Sequence, residues 1–186
     1  MTRVKRLAAL ALALALTLPL FMPAAPAHGQ EGGATRATVQ PLFTPGQDVT
    51  AAVVARLDKA RGSVLVLAYS FTSQPIAEAL IRAHQRRVLV AVIVDKGQRA
   101  AKGGQAGRLA EAGVPVYVDA AHAIAHNKVM VIDQRTVLAG SFNWTASAQA
   151  RNAENLMAVN SRQAAQEYAE NWLTHLAHSQ PWAVGD

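Results

Sequence analysis

The chain of 186 residues contains no cysteine. That single absence removes disulfide frameworks, thiolate zinc sites, iron–sulfur clusters and thiol nucleophiles. Aromatic residues make up only 5%, too few for a surface that stacks on many bases. Charged residues are 16% against 51% hydrophobic, so there is apolar material for a buried core and none of the profile of a disordered polybasic tail. No segment beyond the N-terminal one is apolar for long enough to span a bilayer, and no repeat period marks a solenoid. One domain is expected at this length. The charge that is present leans basic, 18 Lys and Arg against 12 Asp and Glu, for a net +6. Such a surplus suits an anionic partner and says nothing about fold.

Part of that surplus is local to the start of the chain. Arg3, Lys5 and Arg6 precede an apolar run from Leu7 to Met22, and Pro23-Ala24-Ala25-Pro26-Ala27 ends in a small-x-small site. This is the layout of an export signal cleaved after Ala27. The run falls short of the roughly 20 residues of a spanning helix, which makes an uncleaved anchor the weaker reading. Loss of residues 1–27 leaves 15 basic against 12 acidic residues, about +3. The expected organisation is a signal peptide over 1–27, a flexible leader over 28–38 and one domain over 39–180, in a protein exported to the periplasm or the medium.

Within the domain, Asp48 can cap a helix with Val53, Val54, Leu57 and Ala60 on one face, ending at Gly62. Ser63 to Ala68 and Val88 to Val94 are continuous apolar runs of strand length, separated by a helix opening at Ser73-Gln74-Pro75 with Ile76, Leu80 and Ile81 inward. Strand, helix, strand in this span is a parallel βαβ unit. A short helix ends at Gly113 and a third strand covers 114–118. Lys128 to Ile132 and Thr136 to Ala139 flank the polar turn Asp133-Gln134-Arg135 and form an antiparallel pair. A small helix at 145–150, a strand near 155–159 and an amphipathic helix over 161–176, packed through Trp172 and Leu173, complete it. The expected class is α/β, with a mixed, largely parallel sheet flanked by helices on both faces.

The chemistry is concentrated in His126-Asn127-Lys128, followed by Asp133, then Gly140-Ser141-Phe142-Asn143 and Glu154-Asn155. In an extended segment His126 and Lys128 share one face of a sheet. A neutral imidazole and a permanent cation then address the same point. Ser141 and Asn143, also two apart, add a hydroxyl and an amide, and Gly140 permits a close backbone approach to a ligand. A nucleophile or base, a point charge and neutral donors are what an oxyanion on phosphorus requires.

This pattern resembles the phospholipase D superfamily signature, H-x-K-x4-D, six residues, then G-S-x-N. Every spacing is met by His126, Lys128, Asp133, Gly140, Ser141 and Asn143. Phe43-Thr44-Pro45, Tyr69-Ser70-Phe71-Thr72-Ser73, Val94-Asp95-Lys96 and Asn152-Ala153-Glu154-Asn155 are similar to the single-domain endonuclease and cardiolipin hydrolase branch; Arg86-Arg87-Val88 departs from it. The resemblance implies a phospholipase D-like fold and attack by His126 to give a phosphohistidine. Glu154 would orient the imidazole, and Asp133 would belong to the motif while bracing the loop or the partner motif. Lys128 and Asn143, with Ser141 behind them, would bind the phosphate oxygens. No cofactor or metal is expected, because phosphoryl transfer is largely positioning and charge stabilisation. The chain holds one motif, half of a two-step acid and base site, so the resemblance also implies a homodimer with the motifs facing each other.

Blander readings stand beside these. His84, His175 and His178 suit surface or helix-face roles. His122 and His126 have metal-like H-x3-H spacing with no evident third ligand. Asp95 ends a strand and suits either the site or a turn. Arg82, Arg86, Arg87, Lys96, Arg99, Lys102 and Arg108, against Asp95 alone, give +6 over 27 residues. They are either a solvated face or a phosphate-tracking groove leading to His126. The groove favours a nucleic-acid substrate, DNA or RNA, over a phospholipid.

Overall fold

The structure, a computed structural model, describes residues 37–183. The expected signal peptide and nearly all of the expected leader lie outside the described residues. Among the described residues no helix is long and apolar enough to cross a membrane. The elements in chain order are β1 (Thr38–Thr44), α1 (Val49–Lys59), β2 (Ser63–Ala68), α2 (Gln74–Gln85), β3 (Leu89–Asp95), a 3-10 turn (Lys96–Ala100), α3 (Ala106–Glu111) and β4 (Val116–Asp119). They continue with β5 (Lys128–Ile132), β6 (Thr136–Gly140), α4 (Ala146–Ala150), β7 (Glu154–Asn160), α5 (Arg162–Ala177) and β8 (Gln180–Pro181).

All eight strands form one sheet in the order β1-β7-β6-β5-β2-β3-β4-β8. The βαβ reading of 63–94 holds: β2 pairs with β3 in parallel, and β3 with β4. Every other neighbouring pair is antiparallel. The expected mixed α/β sheet is therefore present with a smaller parallel share than expected. β1, β2, β3, β4 and β6 run one way and β5, β7 and β8 the other, so opposite directions alternate across half the sheet. β1 and β8 were not foreseen as strands. β1 is an edge strand that contains Pro41, a residue that an edge tolerates and a central strand does not.

Strand alternation divides the apolar residues between two cores. Val64 and Val66 of β2, Val90, Val92 and Val94 of β3, and Met130 and Ile132 of β5 face α1, α2 and α3. Leu67, Ala91, Ile93, Val129 and Val131 face the other way, against Ala165 and Trp172 of α5. Helices thus cover both faces, as a sheet buried on both sides requires. Asp48 caps α1 by accepting from the Ala51 N–H at 2.8 Å, the function expected of Asp at that position. The Trp172 indole N–H donates to the Val66 carbonyl at 3.0 Å, pinning α5 to β2. Leu173, expected inward with Trp172, is 50% exposed, since adjacent helical residues point about 100° apart and one of them must leave the stripe.

Candidate active site

Because β5 is antiparallel to β2, with Ala68 opposite Lys128, the start of β5 lies beside the ends of β2 and β3. The end of β6 and the start of β7 meet at the same edge, with Gly140 opposite Leu156. His126, Lys128, Ser141, Asn143 and Glu154 are therefore gathered at one end of the sheet, outside the carboxyl ends of its parallel strands, where open α/β sheets place their sites.

His126 is exposed and precedes β5, whereas Lys128 is 7% exposed. The Lys128 ammonium donates to the His126 carbonyl at 2.9 Å and lies 4.8 Å above the Tyr69 ring. That ring also packs on the His126 imidazole, centroids 4.3 Å apart. Tyr69 is thus a platform under both members of the H-x-K pair. Its place immediately after the buried run 63–68 was the available signal. Burial lowers the Lys128 pKa, and the Glu154 charge partly restores it.

Asp95 is buried and takes two backbone N–H groups, Gly97 at 2.8 Å and Ala125 at 2.8 Å. The second contact holds the segment leading into His126. The sequence left Asp95 between a site role and a turn role; it makes the turn and also tethers the segment that carries the site.

Glu154 does not touch His126. One carboxylate oxygen accepts from the Ser141 hydroxyl and the other from Asn152 Nδ2 at 2.8 Å, and among the described residues no side chain hydrogen-bonds to the His126 ring. β7 lies two strands from β5, about 10 Å away at ordinary sheet spacing, and both oxygens of the Glu154 carboxylate are engaged by Ser141 and Asn152. The orienting role expected for Glu154 is therefore not made within one chain; its charge acts on Lys128.

The Ser141 oxygen also accepts from the Asn155 N–H at 3.0 Å, so Ser141 braces Glu154 and Asn155 and its proton is committed. Asn143 Oδ1 is buried and has no partner among the described residues. Gly140 does permit a close approach, but to protein and not to ligand: a Cβ there would lie 2.3 Å from the Asn155 carbonyl oxygen. That carbonyl accepts from the Ser141 and Phe142 N–H groups at 3.0 and 3.2 Å.

Asp133, grouped with the catalytic residues through its motif and expected to brace a loop, has the bracing position and not a catalytic one. It sits at the far end of β5, about 16 Å along the strand from Lys128 at ordinary rise. Its carboxylate accepts the backbone N–H groups of Arg61, Gly62 and Ser63 at 2.7 to 3.2 Å. Its φ of 53° is the left-handed conformation that Asp tolerates better than Ala. Asp133→Ala is expected to cost about 2 kcal/mol of stability, from lost charge-assisted hydrogen bonds and backbone strain, with kcat within about twofold. Urea unfolding beside steady-state kinetics checks it.

The basic cluster also divides. Arg82 pairs with Asp58 at 2.9 Å and Arg108 with Glu78 at 3.1 Å. Arg86 donates to the Leu57 carbonyl at 2.9 Å, at the end of the sheet opposite His126. Lys96, Arg99 and Lys102 follow β3 at the active end, where the Lys96 ammonium donates to the His122 carbonyl at 2.9 Å and Arg99 lies 5.7 Å from the centroid of the Trp182 ring. The seven cations therefore do not form one continuous groove.

With this geometry in place, the family described as "Cardiolipin synthase, PLD-like domain" matches residues 53–176. The chain belongs to the phospholipase D superfamily. It is 37% identical over 140 residues to the phospholipase D of Rickettsia prowazekii, covering 75% of this chain and 68% of that protein. It is 35% identical over 114 residues to the mitochondrial cardiolipin hydrolase of Xenopus tropicalis, covering 61% and 54%. Among solved structures it is similar to Nuc of Salmonella typhimurium, a phospholipase D family member, with a TM-score of 0.75 and 30% identity over 79% of this chain and 99% of that one. The chain is accordingly a phosphodiesterase hydrolase of the phospholipase D superfamily, with the α/β fold of that group.

In this phospholipase D-like site, the lowered pKa of Lys128 is expected to set an alkaline limit on activity. Burial of the ammonium favours its neutral form, so the native chain binds fewer protons than the unfolded chain between the lowered pKa and the ordinary 10.5. Stability rises with pH across that window, while the positive charge beside His126 is lost. Glu154→Gln removes the charge that raises the pKa. It is expected to move the alkaline limb of the kcat profile to lower pH, as read from activity between neutral and strongly basic buffers.

Proposed function

We propose that the protein is an exported phosphodiesterase, periplasmic or secreted, that cleaves nucleic-acid backbones without a metal at the reacting phosphorus and through a phosphohistidine on His126. The observation that carries this reading is the exposed His126 ring, seated on Tyr69, with the ammonium of the buried Lys128 directly behind it. A neutral ring nitrogen forms a bond to phosphorus while the bond from phosphorus to the leaving oxygen breaks. Lys128 supplies the fixed charge for the non-bridging oxygens, and the Asn143 amide, uncommitted to any described residue, is the second donor. A water then attacks the phosphohistidine, breaks the N–P bond and restores neutral His126.

The leaving oxygen must gain a proton and the water must lose one, which calls for a second acid and base. Of the described histidines, only His126 lies at this edge with a Lys two residues on, and His122, His175 and His178 all contact Asp119. His126 of a second copy supplies the missing group in a twofold dimer. Exposed Val39, Phe43 and Met157, on the face of β1 and β7 turned away from α1, offer apolar surface for that contact.

The cations Lys96, Arg99 and Lys102 at the active end support a nucleic-acid substrate bound through its backbone. A second reading, cleavage of a phospholipid headgroup, is favoured by Ile124, which is 56% exposed two residues before His126, and by the names of the relatives. Single-stranded DNA, RNA and phospholipid vesicles, offered to the wild type and to His126→Asn, separate the two. Turnover of nucleic acid that weakens as salt rises supports the first reading, and turnover of lipid alone overturns it.

A further inference from the structure

Away from the reacting edge of β5, four side chains converge from three parts of the fold. Asp119 ends β4, His122 lies in the segment that leads to His126, His175 is in the last turn of α5, and His178 follows that helix. Their donor atoms all lie within 4.8 Å of one another. Asp119 Oδ2 is 2.7 Å from His175 Nδ1, 3.1 Å from His122 Nδ1 and 3.2 Å from His178 Nε2. The three rings stand 5.1 to 5.4 Å apart, centroid to centroid. The Asp119 side chain is fully buried, while those of His175, His178 and His122 are 12%, 33% and 47% exposed, so the cluster opens to solvent on one side.

Three imidazole nitrogens and the Ala121 N–H, the last at 3.0 Å from Oδ1, crowd the two oxygens of one buried carboxylate, with His122 Nδ1 between Oδ1 at 3.3 Å and Oδ2 at 3.1 Å, so every lone pair of Asp119 faces this cluster. The ionic partners of this buried carboxylate are imidazoles, charged only when protonated, and buried charges ordinarily have a full partner or a metal.

We propose that Asp119, His122, His175 and His178 form a structural site for one divalent transition-metal ion, zinc fitting best, that clips β4, the segment before His126 and the end of α5 together. Three imidazoles and one carboxylate are a nitrogen-rich set that suits zinc and disfavours magnesium and calcium. Four donors on zinc stand about 3.4 Å apart at bond lengths near 2.1 Å, so the three Asp119–imidazole pairs need only to open slightly and the wider pairs, all within 4.8 Å, to close. Asn127 provides the outer support: its amide is 3.5 Å from His175 Nε2, and with the amide turned it accepts the Nε2 proton while Nδ1 takes the metal.

The site does not include His126 and takes no part in the chemistry at phosphorus. It holds the segment that Asp95 already tethers at Ala125, in a chain with no cysteine to crosslink it. Its signal in the sequence was a pair of i, i+3 spacings, Asp119 with His122 and His175 with His178, separated by more than fifty residues; the H-x3-H pair of His122 with His126 pointed to the wrong partner.

The test uses the full chain purified without a polyhistidine tag. Metal analysis is expected to find about one zinc per chain. Chelation should lower Tm, zinc should restore it while magnesium and calcium do not, and cobalt(II) should give the visible absorption of a tetrahedral nitrogen and oxygen site. The double variant His175→Gln, His178→Gln should retain no metal and keep a low Tm with or without zinc. Wild-type protein that carries no metal and binds no zinc by calorimetry at micromolar concentrations overturns the proposal, whether or not the variant folds. A folded double variant with full zinc content overturns it as well.

Discussion

His126→Asn is expected to lower kcat by at least about 10^4-fold, since removing a nucleophile while the surrounding binding groups remain can cost about 10^6-fold. The loss should come without a loss of stability. His126 is exposed, precedes β5 and makes no ring hydrogen bond among the described residues, so an Asn there leaves no buried group unpaired and no cavity. Tm should stay within about 2 °C, and the Kd for a non-cleavable phosphodiester should change by less than about tenfold, because Lys128 and Asn143 remain. Kinetics, calorimetry and a binding titration on one preparation separate these effects. A variant that keeps a tenth of the activity would mean that another group attacks phosphorus.

Gly140→Ala is expected to be the most damaging single methyl in the domain. Its Cβ would sit 2.3 Å from the Asn155 carbonyl oxygen and 3.0 Å from the Asn155 carbonyl carbon. Both are backbone atoms that cannot rotate away. β6 must then separate from β7 at the point where the Ser141 and Phe142 N–H groups bond Asn155. Overpacking together with two weakened hydrogen bonds is expected to cost about 3 kcal/mol, read as a shift of the urea midpoint. The same displacement moves Ser141, which braces Glu154, and with it the charge that supports Lys128. The kcat of the folded fraction should therefore fall as well, by roughly tenfold, since small misplacements in a site cost rate steeply.

The residues differ in how much of their role could be read from spacing. The runs 63–68 and 88–94 announced buried parallel strands because both faces of the sheet are covered and neither strand alternates. β1 hid itself with Gln40 and Pro41, residues that an edge strand accepts. His126 and Lys128 were legible because a two-residue spacing maps directly onto one face of an extended segment. Asp133 belongs to the same sequence pattern but not to the same place, since the length of β5 separates it from Lys128. Glu154 is the reverse case: it reaches the correct edge, but its carboxylate is taken by Ser141 and Asn152. Gly140 was correctly read as a close approach, but its neighbour, the carbonyl of Asn155, is set by sheet register. His175 and His178 looked like helix-face residues because the i, i+3 spacing within each pair does not show that α5 converges with β4 on Asp119. Of the seven cations between Arg82 and Arg108, the ion pairs of Arg82 and Arg108 depend on helix packing that charge counting does not see.

The central claim is that His126 carries the phosphoryl group. Rapid acid quench during turnover of a phosphodiester substrate, followed by peptide mass spectrometry at alkaline pH, measures it directly. The expected result is a phosphate adduct, with the remainder of the cleaved substrate still attached, on the peptide containing His126. It should be labile in acid, stable in base and absent from His126→Asn. Full turnover with no adduct on that peptide, together with inversion of configuration at a chiral phosphorothioate, would contradict it.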